Sequence, residues 1–475
     1  MPELLYHKPD MTRQYLSNIG FERRLLYLFF AGLCLGLSSP GFNQGYLAWF
    51  GFIPFFVLLR SCANYLEAIL IGSTFGFAYS LVSLSYFLNF NNNCETMVEA
   101  IVSFGSNVLY WCYVSLTHSL VFVVYAVTLY LLPLRTGFIP WYKRPYYPYL
   151  LTAPLLWIYL NDSPLSILIP IKNCLTSIAL SQYLFEPVNQ ITKLAGRQII
   201  DFFIILVNCS ISNLIIQNFP LTKRFGQRID SLKDDFGSVL DNLVILLILF
   251  TVYTGGQLGL NESIKNNKLA MPDEPVVNTL DVCARLIGET KIDNNLINEE
   301  IKRYLHIINL QKDINLFVCP EGNVYLPDKA KELKPVCLEN LSFTDSKSFL
   351  NFYKSGQIYI KASPWGKIGV LEGVSILNGN LAKILVRQGA SLLIWNNGNV
   401  LVSGNNINDQ FLANAVYMAI ENNRYVILSS NTGLIAIIEP NGIIANLSRG
   451  NRINFILNTV KFLYQKTFYT RAWWL

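Results

Sequence analysis

The spacing of apolar residues changes character near Gly256. Before that point, long apolar runs alternate with short polar connections, a pattern typical of helices that cross a membrane. Beyond it, shorter apolar runs alternate with segments in which apolar positions recur at helical spacing, as in an α/β domain. The pattern therefore predicts a membrane domain at residues 1–260 and a water-exposed domain at residues 261–475.

The apolar runs of the first domain predict an α-helical polytopic bundle of about seven spans. The predicted spans are residues 25–39, 45–60, 67–88, 100–133, 147–160, 190–215 and 238–255. Several are shorter than the roughly 20 residues that cross a bilayer upright. Asp201 and Asn208 fall inside the sixth span, where polar groups face a bundle interior or a cavity because lipid cannot solvate them.

Basic residues mark alternate connections between these spans. The basic connections contain Lys8, Arg13, Arg23 and Arg24, then Arg60, then Arg135, Lys143 and Arg144, then Lys223, Arg224, Arg228 and Lys233. The other connections, residues 40–44, 89–99 and 161–189, contain a single lysine. Because cytoplasmic connections carry the excess of Lys and Arg, we expect a cytoplasmic N-terminus and an extracytoplasmic second domain.

The connection at residues 161–189 is unusually apolar for a loop. One interpretation is that it dips into the outer leaflet and lines an entrance for lipid. The other is an interfacial helix that only packs against its neighbours. The sequence favours neither interpretation.

The second domain has the pattern of an α/β sheet covered by helices. We expect strands at residues 276–282, 314–319, 424–429, 433–438 and 442–447, and helices at residues 296–308 and 409–421. Between them, residues 368–397 have the pattern of one βαβ unit. Its first apolar run ends at Glu372-Gly373, the position that carries a nucleophile above the sheet edge in many α/β enzymes. Here that position is Gly373, which has no side chain.

Composition supports a membrane protein and excludes several kinds of site. Hydrophobic residues make up 52% of the chain and charged residues only 14%, against about 25% in soluble proteins. The net charge of +6 is explained by the basic connections, so we expect no nucleic-acid partner. Nine cysteines without CxxC pairs and three histidines predict no metal site, disulfide framework or cofactor. No cleavable signal peptide is evident.

Short motifs follow one another in a characteristic order along nearly the whole chain. They are Ser39-Pro40-Gly41-Phe42, Leu47-Ala48-Trp49, Val318-Cys319-Pro320-Glu321, the run from Arg387 to Leu393, Ala419-Ile420-Glu421 with Arg424, Asn431-Thr432-Gly433, the run from Ile438 to Gly442, and the run from Thr467 to Arg471. By this order and spacing the chain resembles the apolipoprotein N-acyltransferases. These are bacterial membrane enzymes that add the third acyl chain to lipoproteins.

The resemblance implies a membrane bundle followed by a nitrilase-like αββα domain of the carbon-nitrogen hydrolase type, located in the bacterial inner membrane. In that family a Cys thiolate takes an acyl chain from a phospholipid and holds it as a thioester. A Glu acts as general base, and a Lys stabilises the oxyanion. The acceptor is the α-amino group of an S-diacylglyceryl cysteine. The partners implied are therefore membrane phospholipid and diacylated lipoproteins.

The family's catalytic residues carry over unevenly. Glu321 matches the general base, and a strand-end carboxylate that caps the next helix is the alternative interpretation. Lys329, in Asp328-Lys329-Ala330-Lys331, is a weak match to the family's catalytic lysine. The competing interpretation is that these residues form a solvated charged loop. The family's nucleophilic Cys falls on Gly373, whether counted back from Gly389-Ala390 or forward from the run that begins at Pro364.

Other departures point to altered chemistry. No cysteine follows Cys337, and neither Cys319 nor Cys337 has the pattern of a strand-to-helix elbow. The separation between Glu321 and Gly373 is well short of the family's, so the domain is expected to be reduced. Glu372 and Ser375 are the substitute nucleophiles that lie closest in sequence.

These features leave several hypotheses. The first is an N-acyltransferase with rearranged chemistry. The second is a catalytically inactive relative that acts as a membrane-anchored binding or assembly module, with an unknown protein partner. Gene decay is a third, and a transporter is a remote fourth because intramembrane charges are few.

Overall fold

A computed structural model describes the chain at residues 20–60, 62, 64–89, 97–132, 134–135, 147–162, 177–218, 231–268, 276–283, 316–318, 324–326, 331–332, 335–336, 358–397, 405–430, 434–449 and 454–472. By their internal contacts these residues form two compact units. The first unit takes the described residues within Met1–Ser85, Leu109–Gln182 and Gln198–Tyr253, and the second takes those within Tyr86–Val108, Tyr183–Arg197 and Thr254–Leu475. The predicted domain boundary at residue 260 stays a prediction.

Helices dominate the first half of the chain and alternate with strands in the second. The helices are α1 (Phe21–Gly36), α2 (Ala48–Gly51), α3 (Ile53–Leu59), α4 (Tyr65–Ser83), α5 (Met97–Leu131), α6 (Tyr149–Asp162), α7 (Glu186–Asn189), α8 (Thr192–Ala195), α9 (Gln198–Asn218), α10 (Ser231–Lys268), α11 (Gly379–Arg387), α12 (Asn405–Asn422) and α13 (Phe468–Arg471). The strands are β1 (Leu134–Arg135), β2 (Tyr147–Pro148), β3 (Val276–Cys283), β4 (Leu316–Val318), β5 (Val324–Leu326), β6 (Lys331–Glu332), β7 (Pro335–Val336), β8 (Ile358–Ser363), β9 (Gly366–Glu372), β10 (Ala390–Asn397), β11 (Val426–Ser430), β12 (Leu434–Ile438), β13 (Ile444–Arg449) and β14 (Asn454–Lys461).

Three helical segments are long and apolar enough to cross a membrane. Within the described part of the chain they are Tyr65–Ser83, Ile101–Leu131 and Gln198–Ile216, and shorter apolar helices lie at Gly45–Leu59 and Tyr149–Asn161. The predicted third, fourth and sixth spans are therefore confirmed as apolar helices of spanning length. The count of seven stays a prediction.

Glycines let α1, α4 and α5 pack closely. A Cβ atom at Gly32 would lie 2.6 Å from the Phe75 carbonyl oxygen, and one at Gly72 would lie 2.7 Å from the Phe122 carbonyl oxygen. No side chain fits at such distances, so α1 packs on α4, and α4 on α5, through their backbones. Small residues at helix contacts are typical of membrane bundles because close backbone approach increases van der Waals contact.

The two polar residues predicted inside the sixth span face the interior of the first unit. Asp201 is 3% exposed and accepts hydrogen bonds from Ser177 Oγ at 2.9 Å and from the Ala179 N–H at 2.6 Å. Asn208 is fully buried and makes three hydrogen bonds: its Oδ1 accepts from the Phe52 N–H, and its Nδ2 donates to the carbonyls of Ala48 and Ile204. Both side chains join separate parts of the unit, as buried polar groups must when lipid surrounds a bundle.

The sixth span begins at Gln198 and not at residue 190. Gly196 follows α8 with φ of +74°, a backbone conformation that glycine adopts at little cost. The short helix α8 consequently lies where the pattern predicted the first turns of the span, and the short helix α7 lies in the predicted connection that precedes it.

Two sheets make up most of the second unit. One has seven strands in the order β13-β12-β11-β10-β9-β8-β7, and the other has five in the order β14-β3-β4-β5-β6. Strands β9, β10 and β11 run parallel, as the βαβ pattern predicts. The predicted strands correspond to β3, β4 and β9–β13, with bounds that differ by a few residues, whereas β5–β8 and β14 are not among them. The predicted helix at residues 296–308 lies outside the described residues.

The sheets share one apolar core. Alternate residues of the larger sheet, such as Val370, Ile394 and Ile427, form one buried apolar cluster with Val318 and Val460 of the smaller sheet. Each fully buried side chain of this kind contributes about 1.5–3 kcal/mol relative to an exposed one.

The opposite face of the larger sheet is covered by α11 and α12. The rings of Trp395 and Phe411 are 5.0 Å apart there, and a Cβ atom at Gly369 would lie 3.1 Å from Leu385 Cβ. The described layers are thus helix, sheet and sheet. They confirm that an α/β domain follows the helical region in the sequence.

Candidate functional site

The predicted break after the first strand of the βαβ unit is a sharp turn at Gly373. Strand β9 ends at Glu372, and a 3-10 turn occupies Gly373–Leu377 before α11 begins at Gly379. Gly373 has φ of +56°, in the left-handed region that costs other residues roughly 1–2 kcal/mol. The Gly373 carbonyl accepts a hydrogen bond from Trp395 Nε1 at 2.6 Å. The backbone therefore forms a nucleophile-type elbow without a side chain at its apex.

Polar residues end three neighbouring parallel strands beside this turn. Glu372 of β9 is the register partner of Asn396 of β10, which is in turn the partner of Ser429 of β11. Because side chains alternate along a strand, these three continue the face that Val370 and Ile394 present to the smaller sheet. We call Glu372, Asn396 and Ser429 the strand-end row. Ligands of α/β domains commonly bind at the carboxyl ends of parallel strands.

Tyr359 of β8 holds the carboxylate of this row. Its hydroxyl donates to Glu372 Oε1 at 2.6 Å, and its ring packs against the core between the sheets. Lys361 lies two residues further along β8, with its Nζ 5.4 Å from the Tyr359 ring centroid. Lys361 is only 2% exposed. The phenol thus contacts a buried cation on one side and a carboxylate on the other.

Asn396 has an unusual environment for a buried amide. It is 1% exposed, and neither its Oδ1 nor its Nδ2 has a hydrogen-bond partner in the described structure. Burying such atoms unpaired costs about 1–3 kcal/mol each. Asn208 of the first unit, in contrast, uses both amide atoms in hydrogen bonds. An orphaned amide next to a carboxylate is therefore a candidate ligand contact.

Of the predicted site residues, Gly373 lies in the described structure, whereas Glu321 and Lys329 do not. Gly373 lies at the elbow, as predicted, next to the strand-end row. Glu321 and Lys329 lie outside the described residues, so their roles as base and oxyanion group stay predictions, and Cys319 and Cys337 also lie outside them. Val318, the last described residue before Glu321, belongs to the core between the sheets.

Neither substitute nucleophile has an activating base among the described residues. Ser375 is 3% exposed, and its Oγ has no hydrogen-bond partner. A serine becomes nucleophilic only when an adjacent base removes its proton. The Glu372 Oε1 atom accepts a hydrogen bond from the Tyr359 hydroxyl, which occupies a lone pair that a nucleophile would use.

A second buried polar cluster lies at the end of α12. Glu421 is 1% exposed and accepts from the Arg197 N–H at 2.7 Å, while Arg197 Nε lies 3.5 Å from the same oxygen. Burial raises the pKa of Glu421, and the Arg197 guanidinium opposes this rise. Burial also lowers the pKa of Lys383, as does Arg387, while Glu421 has the opposite effect. We assign these residues to the support of the fold, because the ion pair joins segment 183–197 to α12.

The sequence pattern did not single out Tyr359 or Asn396 as site residues. The signal for Asn396 is the pair Asn396-Asn397, which follows the apolar run Leu392–Trp395 and so falls at the carboxyl end of a strand. Tyr359 has no such signal because strand β8 was not predicted, and its contact with Glu372 depends on the pairing of β8 with β9.

Comparisons with known proteins address the membrane part of the chain. Residues 31–210 match the family model of the apolipoprotein N-acyltransferase N-terminal domain. No curated protein matches the chain. Among solved structures, Saccharomyces cerevisiae Nit3, a member of branch 10 of the nitrilase superfamily, is similar at 15% identity and a TM-score of 0.29, covering 40% of this chain and 92% of that chain. The resemblance to the apolipoprotein N-acyltransferases is confirmed at residues 31–210, the part of the chain that this domain matches.

Proposed function

We propose that this chain is a membrane protein of the apolipoprotein N-acyltransferase type whose second domain binds a substrate of that reaction without forming the acyl thioester. In this proposal it lies in the bacterial inner membrane with about seven spans and a reduced nitrilase-like domain outside the cytoplasm. Its ligands are membrane phospholipid and diacylated lipoproteins. The observation that carries the proposal is the glycine at the apex of the elbow.

Loss of the thiol removes the covalent step. In the thioester mechanism a thiolate attacks the phospholipid ester and releases the lysophospholipid. Gly373 offers only hydrogen at that position, and no cysteine follows Cys337 in the sequence. Loss of a covalent nucleophile commonly reduces the rate by several powers of ten. We therefore expect no acyl-enzyme to form.

The strand-end row supports retained binding. Glu372 offers a carboxylate, and Asn396 offers one buried acceptor and one buried donor. The acceptor substrate of the family reaction is a protonatable α-amino group next to a peptide bond, which can pair with such groups. Hydrogen bonds to charged groups contribute about 1.5–3 kcal/mol. The orphaned amide would then find its partners only when the ligand is present.

Acyl transfer through Glu372 is the second candidate, because its carboxylate directly precedes the elbow. A carboxylate that attacks an ester must form an anhydride, which is higher in free energy than the ester. A thiolate forms a thioester of much more comparable energy. The second candidate is thus chemically disfavoured, and the experiments below separate it from binding alone.

A binding measurement tests the first half of the proposal. The full chain in lipid nanodiscs is titrated with a synthetic diacylated lipopeptide that has a free α-amino group, and separately with its N-acetylated form. We expect the free amine to bind at least tenfold more tightly, because only it pairs with Glu372. Equal affinity for both forms would contradict the assignment of the amine to the strand-end row.

The second half of the proposal, the absence of acyl transfer, is tested by replacing the native N-acyltransferase of a bacterium with this chain. Cells in which this chain replaces the native N-acyltransferase are expected to contain lipoproteins with diacylated N-terminal cysteines only, by mass spectrometry, with the chain detected in the membrane. Triacylated N-termini would show that transfer occurs and would contradict the proposal.

A further inference from the structure

The segment at residues 183–197 is polar on its inner side and apolar on its outer side. Its exposed residues are all large and apolar: Leu184 is 55% exposed, Phe185 is 42% exposed and Leu194 is 54% exposed. Its polar residues Asn189, Gln190, Thr192 and Arg197 are buried, and the charged Glu186 and Lys193 are partly exposed. Surfaces in contact with water normally show the reverse arrangement, with apolar side chains inside.

The inner side is fastened to the α/β domain by specific polar contacts. Gln190 Nε2 donates to the Asn441 carbonyl at 2.7 Å, and the Tyr417 hydroxyl donates to Asn189 Oδ1 at 2.9 Å. The Arg197 ion pair with Glu421 fastens the end of the segment. These contacts fix which side faces outward, so the exposure of the apolar residues follows from the fold.

Gly256 of α10 lies against Pro187 of α7, where an added Cβ atom would meet the Pro187 carbonyl oxygen at 1.9 Å. The buried side of the segment is therefore in contact with α10 as well as with the α/β domain.

The sequence position of the segment indicates what covers this surface. Arg197 is followed directly by Gln198, the first residue of α9, which is long and apolar enough to span a membrane. A residue adjacent to the end of a span lies within a few ångström of the bilayer interface, because each helical residue advances only about 1.5 Å. Short segments with apolar side chains on one face are typical of such interfaces, where phenylalanine and leucine enter the acyl boundary.

We propose that segment 183–197 lies in the interface of the phospholipid bilayer, with Leu184, Phe185 and Leu194 inserted among the acyl chains. The segment then docks the α/β domain on the membrane surface. The three inserted side chains carry no charge and select no headgroup, while the partly exposed Glu186 and Lys193 place one charge of each sign beside them. This surface is separate from the strand-end row and does not depend on whether that row binds a substrate.

Photo-crosslinking in lipid nanodiscs tests this proposal. The photoreactive residue p-benzoylphenylalanine replaces Phe185 or Leu194 in the full chain and, as a control, Thr459, which is exposed on β14 of the smaller sheet. We expect phospholipid adducts at positions 185 and 194, detected by mass spectrometry, at a yield at least fivefold above that at 459. Adducts to protein at 185 and 194, or lipid adducts no more abundant than at 459, would overturn the proposal.

Hydroxyl-radical footprinting of the unaltered protein gives an independent result that does not depend on variant folding. In nanodiscs we expect Phe185 to be oxidised at least fivefold less than Tyr464, although their exposed fractions are similar, 42% and 52%. Lipid shields Phe185 in this account, whereas water reaches Tyr464. Comparable oxidation of the two residues would contradict insertion of the segment into the bilayer.

Discussion

Tyr359 donates its hydroxyl hydrogen to Glu372 across 2.6 Å, one residue before the elbow at Gly373. The contact joins two strands, β8 and β9, at the edge where the parallel strands end. It fixes a carboxylate beside an elbow whose apex residue has no side chain. In the proposed function this carboxylate binds the ligand, and no thiol stands at the elbow to react with it.

Replacement of Tyr359 by Phe is expected to weaken ligand binding more than folding. The variant loses one hydrogen bond to a carboxylate that is only partly buried, so the free energy of unfolding should fall by only about 1 kcal/mol. Binding of the free-amine lipopeptide should fall several-fold because Glu372 is no longer oriented. Isothermal titration in nanodiscs measures this affinity.

The matched control is Tyr464→Phe, which removes a hydrogen bond to the Trp365 carbonyl. That bond lies away from the strand-end row, so affinity should be unchanged. An equal loss of affinity in both variants would show that Tyr359 acts only through general stability.

Replacement of Asn396 by Leu is expected to stabilise the protein and abolish binding. Leucine has a similar size and removes two buried polar atoms that lack partners, each of which costs about 1–3 kcal/mol. Thermal unfolding should therefore shift to higher temperature while lipopeptide affinity falls at least tenfold. Stability sacrificed at a binding site is a common trade-off in proteins.

Asn208→Leu provides the contrasting control. It breaks three hydrogen bonds and leaves the buried Phe52 N–H unpaired, so unfolding should become easier by about 2–4 kcal/mol. If Asn396→Leu destabilises the protein as much as Asn208→Leu does, the amide of Asn396 has partners and the binding assignment is wrong.

Much of the second unit follows from sequence pattern because its strands are local apolar runs. The run at Ile368–Leu371 and the break at Glu372-Gly373 predict β9 and the elbow, and both are confirmed. Ile376, by contrast, has helical spacing but lies in the 3-10 turn, since α11 begins only at Gly379. Asn378 caps that helix by accepting from the Asn380 N–H at 3.2 Å.

The strand-end row could not be predicted as a set because it depends on register between strands distant in sequence. Glu372 is within the βαβ unit, but its contact with Tyr359 requires the antiparallel pairing of β8 with β9. In the same way, the outward orientation of Leu194 depends on the polar contacts of Asn189 and Gln190 with the α/β domain. Sequence spacing identifies apolar residues but does not distinguish lipid from a protein core as their surroundings.

Replacement of Glu421 by Gln is expected to flatten the pH dependence of stability. Burial raises the pKa of Glu421 above its ordinary value of 4.5, with partial opposition from Arg197. The folded state therefore holds this proton more tightly than the unfolded chain does. The resulting stability is present below about pH 4.5 and is lost as the pH rises through the folded-state pKa.

Thermal unfolding between pH 4 and pH 7 measures this effect. The wild-type protein should lose more stability across that interval than Glu421→Gln, whose side chain does not titrate. A wild-type slope no steeper than that of Glu421→Gln would contradict the raised pKa.

Replacement of Gly373 by Cys is expected to restore a thiol at the elbow. A cysteine is strained at the φ of +56° that Gly373 adopts, so the free energy of unfolding should fall by about 1–2 kcal/mol. Thermal unfolding measures this loss. A fluorescent phospholipid ester should then label the variant through a hydroxylamine-sensitive thioester. Ser375→Cys, a buried position outside the elbow, should remain unlabelled. Equal labelling of the two variants would show that the elbow does not direct acylation.

We propose that the native chain binds a substrate of the reaction and forms no acyl-enzyme. The absence of an acyl-enzyme is tested most directly by the intact mass of the full-length wild-type protein in nanodiscs after incubation with phospholipid and rapid denaturation, with Gly373→Cys measured in parallel. We expect the wild-type mass to remain that of the unmodified chain. A mass increase of one acyl group on the wild-type protein would contradict the account, and peptide mapping would then identify the new nucleophile.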